Sequence, residues 1–218
     1  MCESRTITML DYGAGNLTSV RLAFERLGAA VCRAERAAGV PDSGPVVFPG
    51  VGSAAPCMAA LRERGFDQLL REAFTAGRPV LGICLGMQLL FERSAEDGGT
   101  AALGLLPGEC RLFDFGSCHA LKIPEIGWNA VHFPRSRAVH PCLDGIPDGT
   151  AFYFVHSYYV NASRNDDICG LTEYGGREFT SAAGCGSFFA TQFHPERSGE
   201  WGLKLLDNFL EWSGRRLC

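Results

Sequence analysis

The run Gly82-Ile83-Cys84-Leu85-Gly86-Met87 places a cysteine between an apolar segment and a helical one, with glycine two residues to either side. This is the cysteine form of a G-x-S-x-G nucleophile elbow. Small neighbours allow the strained backbone such a turn needs. The first N–H groups of the following helix favour a thiolate over a thiol. They also leave the Leu85 N–H free to stabilise an oxyanion. A nucleophile of this kind needs a base. His194 follows the apolar run 188–193, is fixed by Pro195, and has a carboxylate two residues on at Glu196. A strand-end loop can present both side chains, with Glu196 holding one ring nitrogen and setting the tautomer. Cys84, His194 and Glu196 together read as an acyl-transfer triad. A third stretch, Pro49-Gly50-Val51-Gly52, follows an apolar strand, and its glycines allow a main-chain N–H to turn towards a developing oxyanion.

The remaining histidines offer weaker bases. His119, His132 and His140 lie in an irregular, proline-bearing region and read as surface residues, while His156 ends an aromatic run where a packed histidine is as natural as a functional one. The chain has 10 cysteines, but none stands at zinc-ligand spacing from another or from a histidine pair, so no metal site is expected. Cys118-His119 is the only close approach, and nothing nearby completes a tetrahedron. Disulfide scaffolds are short and secreted; mostly inert, reduced thiols in a cytoplasmic protein are the expectation here. The N-terminal residues lack the apolar core of an export signal. The longest apolar stretch, residues 79–87, is well short of the ~20 needed to span a bilayer. With a net charge of −4 and no basic cluster, neither nucleic acid nor membrane is an expected partner.

The elements that must position these groups follow from hydrophobic patterning. At 218 residues and 46% hydrophobic composition the chain suits one α/β domain spanning residues 1–218, without linker or repeat. Strands are expected at 6–10, 46–48 and 79–83. Helices are expected at 17–27, 54–64, 66–76 and 85–92, which implies right-handed crossovers and a mostly parallel central sheet flanked by helices. The second half changes character. Short β-type runs at 151–155, 168–172, 178–182 and 187–192 are separated by turn residues, as in antiparallel hairpins, before an amphipathic helix over 199–212.

With these residues in view, the chain resembles the class I (triad) glutamine amidotransferases. The likeness lies in Gly82-Ile-Cys-Leu-Gly-Met-Gln88 and Gln192-Phe-His-Pro-Glu196. Further stretches narrow it to glutaminase subunits of imidazole glycerol phosphate synthase. They are Asp11-Tyr-Gly-Ala-Gly-Asn-Leu17, Pro49-Gly-Val-Gly52, Lys122-Ile-Pro-Glu-Ile-Gly-Trp-Asn129, Tyr153-Phe-Val-His-Ser-Tyr158 and His194-Pro-Glu-Arg-Ser-Gly199. The resemblance implies hydrolysis of L-glutamine through a thioester on Cys84, with the oxyanion held by Leu85 and the Gly50, Val51 and Gly52 stretch. It implies that Gln88 and Glu96 hold the substrate's amino-acid end and that His156, Ser157 and Tyr158 line its other side. No cofactor is implied. Ammonia would pass to a separate (β/α)₈-barrel cyclase subunit as a heterodimer, with Lys122, Pro124, Trp128 and Asn129 facing that partner. Glu125 departs from the family, which usually carries histidine after Lys-x-Pro, and changes the charge of a position expected at the contact. The glycines at 50 and 52 lead to the expectation that the isolated chain hydrolyses glutamine poorly until the partner reorients a peptide there. Amidotransferase subunits serving anthranilate, aminodeoxychorismate or pyridoxal phosphate synthesis are the alternative. A cysteine peptidase or deglycase of similar architecture predicts a base placed elsewhere than His194.

Overall fold

The computed structural model describes residues 5–13, 17–116, 121–134 and 138–217. Residues 14–16 of the Asp11–Leu17 stretch, and Cys118 and His119, lie outside them. The first half alternates strand and helix. Its elements are β1 (Thr6–Leu10), α1 (Leu17–Arg26), β2 (Ala30–Ala34), β3 (Val46–Gly50), α2 (Ala54–Glu63), α3 (Phe66–Ala76), β4 (Val80–Cys84) and α4 (Leu85–Gln88). The second half is mainly β. It comprises β5 (Arg93–Ser94), β6 (Thr100–Ala101), β7 (Gly108–Leu112), β8 (Glu125–Val131), β9 (Thr150–His156), β10 (Tyr158–Ala162), β11 (Ile168–Tyr174), β12 (Arg177–Cys185) and β13 (Phe188–Thr191), and the chain closes on α5 (Gly199–Leu217).

The expected mixed α/β architecture is what forms. One sheet runs β2-β1-β3-β4-β13-β12-β10-β7-β5-β6, with β11 on β12, while β8 and β9 make a separate hairpin. β1 to β4 pair in parallel, and their side chains alternate between two apolar layers. Ile7, Val47, Leu81 and Phe189 pack with Phe24 of α1 and Leu206 and Phe209 of α5. Val46, Phe48, Val80 and Phe188 pack with Met58 and Leu61 of α2 and Phe66 and Leu70 of α3. Burial on both faces is why β1, β3 and β4 read as continuous apolar runs rather than as alternation.

Two features differ from the expectation. β13 follows a hairpin from β12, yet its other edge pairs in parallel with β4, register Thr191 opposite Ile83. The antiparallel half is therefore joined to the parallel half at the strand that ends in Cys84. The helix after Cys84 is also shorter than expected. It ends at Gln88 because the carbonyls that would continue it turn to the loop behind: Leu89 O accepts from Leu103 N, Leu90 O from Leu105 N and Leu106 N, and Phe91 O from Gly104 N. The helix N-terminus beside Cys84 is therefore a single turn and not a long helix.

Candidate active site

Cys84 closes β4 and opens α4 with φ 55° and ψ −113°, a conformation that non-glycine residues adopt only under constraint. The constraint comes from both glycines of the elbow. A Cβ on Gly86 would collide with the Phe48 carbonyl oxygen, and one on Gly82 would lie 3.1 Å from the Ala190 side chain. The turn is therefore pressed between β3 and β13, and its sulfur is held at the carboxyl end of the sheet.

His194 lies just beyond β13, the strand beside β4. Its Nδ1 is 2.9 Å from Oε1 of Glu196, with both side chains buried. Nδ1 therefore donates to the carboxylate and Nε2 is directed to the Cys84 side; Nε2 is buried without an aligned hydrogen bond among the described residues. Burial by itself would lower the imidazole. The Cys84 charge first, then the hydrogen bond and charge of Glu196, outweigh it and push the group up to about 10. The loop is pinned from three sides. His194 N donates to Tyr153 O, Ser198 Oγ donates to His194 O at 2.7 Å, and a Cβ on Gly202 of α5 would collide with Pro195 O.

A cavity of about 360 Å³ gathers the expected groups: Cys84 and His194; Val51, Gly52 and Leu85; Gln88, Glu96, His156, Ser157 and Tyr158; and Pro124. Glu196 is behind His194 rather than on the wall. Gly50 sits one register step below, opposite Cys84 across β3 and β4. There a Cβ would collide with the Tyr12 hydroxyl, which donates to Pro49 O at 2.9 Å. Burial, followed by the charges of Cys57 and Cys84, pushes the Tyr12 phenol well above its usual range and keeps it a donor. Val51 O accepts from the Cys57 thiol at 3.7 Å. In a trans peptide this directs the Gly52 N–H the opposite way. A larger cavity, about 690 Å³ between residues 37–43 and α3, shares no residue with this site and is lined by neither cysteine nor histidine.

Glu96, expected only as a substrate contact, also closes the start of α2. Its Oε2 accepts from Ala54 N at 2.7 Å, and Asp97 Oδ2 accepts from Ala55 N, where the Ser53 side chain forms no cap. Gln88 is fixed by two donations from Nε2, to Tyr158 O at 2.8 Å and to Gln192 Oε1 at 3.0 Å. Its own Oε1 remains an acceptor for the cavity. Gln192 is a site residue the sequence reading does not assign: fully buried, it donates from Nε2 towards Cys84 Sγ at 3.8 Å. Its signal was its position two before His194, on the same side of an extended segment.

The stretch expected at a partner contact divides by strand alternation. In β8, Ile126 and Trp128 point outward at 62% and 57% exposure, so Trp128 is not a core residue. Glu125 and Asn129 face inward. Glu125 is buried rather than displayed, and Asn129 Nδ2 is engaged by Glu125 Oε1 and Glu173 O. Lys122 is exposed and its carbonyl accepts from Tyr174. His140, read as a surface residue, stacks on Phe189 with ring centroids 4.5 Å apart; His132 is exposed as expected. The other described cysteines have different surroundings from Cys84. Burial, then the Glu96 charge, pushes the Cys57 thiol up to about 11, and burial pushes Cys110 up as well. No group of metal-ligating side chains occurs among the described residues.

A central sheet with a strained cysteine elbow and a neighbouring strand that delivers histidine and glutamate is an arrangement suited to acyl transfer. The model of the family "Glutamine amidotransferase class-I" matches residues 9–212. The fold is similar to that of a glutamine amidotransferase (TM-score 0.72, 18% identity, covering 95% of this chain and 98% of that one). It is also similar to a chain of PurLQS from Thermotoga maritima (TM-score 0.75, 19% identity, 95% and 98%). At nearer range the chain is 48% identical to imidazole glycerol phosphate synthase subunit HisH 1 of Pseudomonas aeruginosa, over 97% of this chain and 99% of that protein. It is 45% identical to subunit HisH of Moorella thermoacetica, over 95% of both. The chain belongs to the class I glutamine amidotransferase family and, within it, to the HisH subunits.

Proposed function

We propose that the chain is the glutaminase subunit of an imidazole glycerol phosphate synthase, with Cys84, His194 and Glu196 as its triad. Cys84 Sγ attacks the side-chain amide carbon of L-glutamine. The oxygen takes up negative charge facing the Leu85 N–H and the N–H groups of the Gly50–Gly52 stretch. The proton held on His194 passes to the amide nitrogen as the C–N bond breaks, releasing ammonia and leaving a γ-glutamyl thioester. Water then attacks the thioester, with His194 taking its proton and returning it to the sulfur as glutamate leaves. Glu196 keeps Nδ1 protonated, so that Nε2 exchanges protons with the reacting groups. Gln88 Oε1 and the Glu96 carboxylate suit the substrate's ammonium group, and the His156–Tyr158 segment closes the other side. The observation that carries this reading is the single cavity joining Cys84 and His194 to these acceptors.

The HisH relatives are named as subunits, and the finer reading is a heterodimer with a (β/α)₈-barrel cyclase. The cyclase would combine the ammonia with a ribulosyl-phosphate aminoimidazole intermediate. The products would be imidazole glycerol phosphate and aminoimidazole carboxamide ribotide, in histidine biosynthesis. The test is co-purification with a candidate cyclase. Cys84→Ala is expected to abolish glutamine-dependent product while leaving turnover with added ammonium salts; glutaminase activity surviving in Cys84→Ala overturns the nucleophile assignment.

A further inference from the structure

The β8–β9 register places Glu125 directly opposite His156, and both side chains are almost fully buried, at 4% and 3% exposure. His156 sits among Phe113, Phe154 and Phe179, with ring centroids 5.3–5.6 Å away. Its Nδ1 is 2.8 Å from the Tyr158 carbonyl oxygen, which can only accept, so Nδ1 carries a proton. Its Nε2 lies 3.2 Å from Glu125 Oε2, at ion-pair distance, and neither atom has an aligned hydrogen-bond partner among the described residues. Two bare lone pairs at that distance, shielded from water, would repel; a proton must lie between them. Glu125 Oε1 meanwhile accepts from Asn129 Nδ2 at 2.8 Å.

This contact is the outer end of a polar chain that reaches the nucleophile. Tyr158 O accepts from His156 and also from Gln88 Nε2; Gln88 donates again to Gln192 Oε1, and Gln192 Nε2 is thereby turned towards Cys84 Sγ. Tyr158 O is the shared acceptor of His156 and Gln88, and from Gln88 the donations run on through Gln192 to Cys84. We propose that Glu125 is a positioning residue for glutamine binding: by sharing a proton with His156, it fixes the Tyr158 carbonyl and, through it, the orientation of the Gln88 amide in the substrate cavity. The inference rests on the function proposed above.

Glu125→Gln isolates the effect. The amide can still accept from Asn129 and donate to a neutral His156, so the shape of the contact is retained while the shared proton is lost. In the full chain with its co-purified cyclase, the variant is expected to raise the glutamine KM about five- to tenfold with kcat changed less than twofold. A purely structural role would not produce that split. Nitrogen NMR of ¹⁵N-histidine-labelled wild-type chain should show His156 Nε2 in contact with a proton, and Glu125→Gln should show it as a bare acceptor. An unchanged KM, or a bare Nε2 in the wild type, overturns the proposal; should the variant not fold, the wild-type spectrum decides. A wild type lacking any Cys84-dependent glutaminase activity would instead overturn the function and leave the spectrum standing.

Discussion

At the scale of single residues, proximity to charge separates one thiol from the rest. Cys84 faces an imidazole that retains its proton up to about pH 10, whereas Cys57 is held neutral by burial. The direction of the His194 shift fixes a pH dependence. His194 keeps its proton until about pH 10, so its assistance to alkylation of Cys84 by iodoacetamide should persist through neutral and mildly alkaline pH and fade as pH rises through that value. In His194→Gln the rate at pH 7 should fall at least about tenfold and then climb with pH as for an unassisted thiol, whose pKa is ~8.5. Equal pH profiles would show that His194 does not govern the nucleophile. Residue types carried most of this into the sequence: Cys84, His194 and Glu196 were legible because glycines, a proline and a carboxylate stand beside them. Gln192 was not, since its spacing of two from His194 marks it only once the segment is known to be extended.

At the scale of elements, the elbow is held by packing that tolerates no added atom. Gly86→Ala should lower stability by about 1–3 kcal/mol or more, because the new Cβ meets the Phe48 backbone rather than a side chain that could move. Urea midpoints would measure it, and an unchanged midpoint would show that β3 yields. β1 and α3 were legible to the residue, since a buried strand and a strongly one-sided helix each have a clear period. β2 was not, because its residues are mostly exposed and carry no apolar period. The end of α4 was also hidden. Its sequence stays apolar through Phe91, and the helix stops only because the loop 103–106 claims its carbonyls.

At the scale of the molecule, the outward face of β8 and β9 lies one backbone hydrogen bond from the His194 loop. Trp128 packs edge-on to Tyr153 at 6.2 Å, Arg197 sits 4.5 Å over the Tyr153 ring, and Tyr153 O receives His194 N. A partner seated on this aromatic face would press directly on the His194 loop. Trp128→Ala is therefore expected to weaken cyclase association by about 2 kcal/mol, roughly 30-fold in Kd, with little change in Tm. Titration calorimetry checks it, and unchanged affinity would move the interface elsewhere. Comparing glutaminase rates with and without the cyclase tests the second expectation, that the Gly50–Gly52 stretch is completed by docking; equal rates would exclude it.

The sequence by itself determined the chemistry and its local frames. A cysteine between glycines and a histidine-proline-glutamate turn dictate their own backbone geometry, and geometry within a few residues is encoded locally. Only the tertiary structure decided that these frames meet. β13 could have remained the edge of a hairpin. Its parallel pairing with β4 brings residues more than a hundred positions apart to one end of the sheet, because both strands are apolar on two faces and need covering on each. The same holds for Glu125. Its charge suggests a surface, but strand alternation turned it inward against His156, where a buried carboxylate is stable only with a proton or a cation beside it.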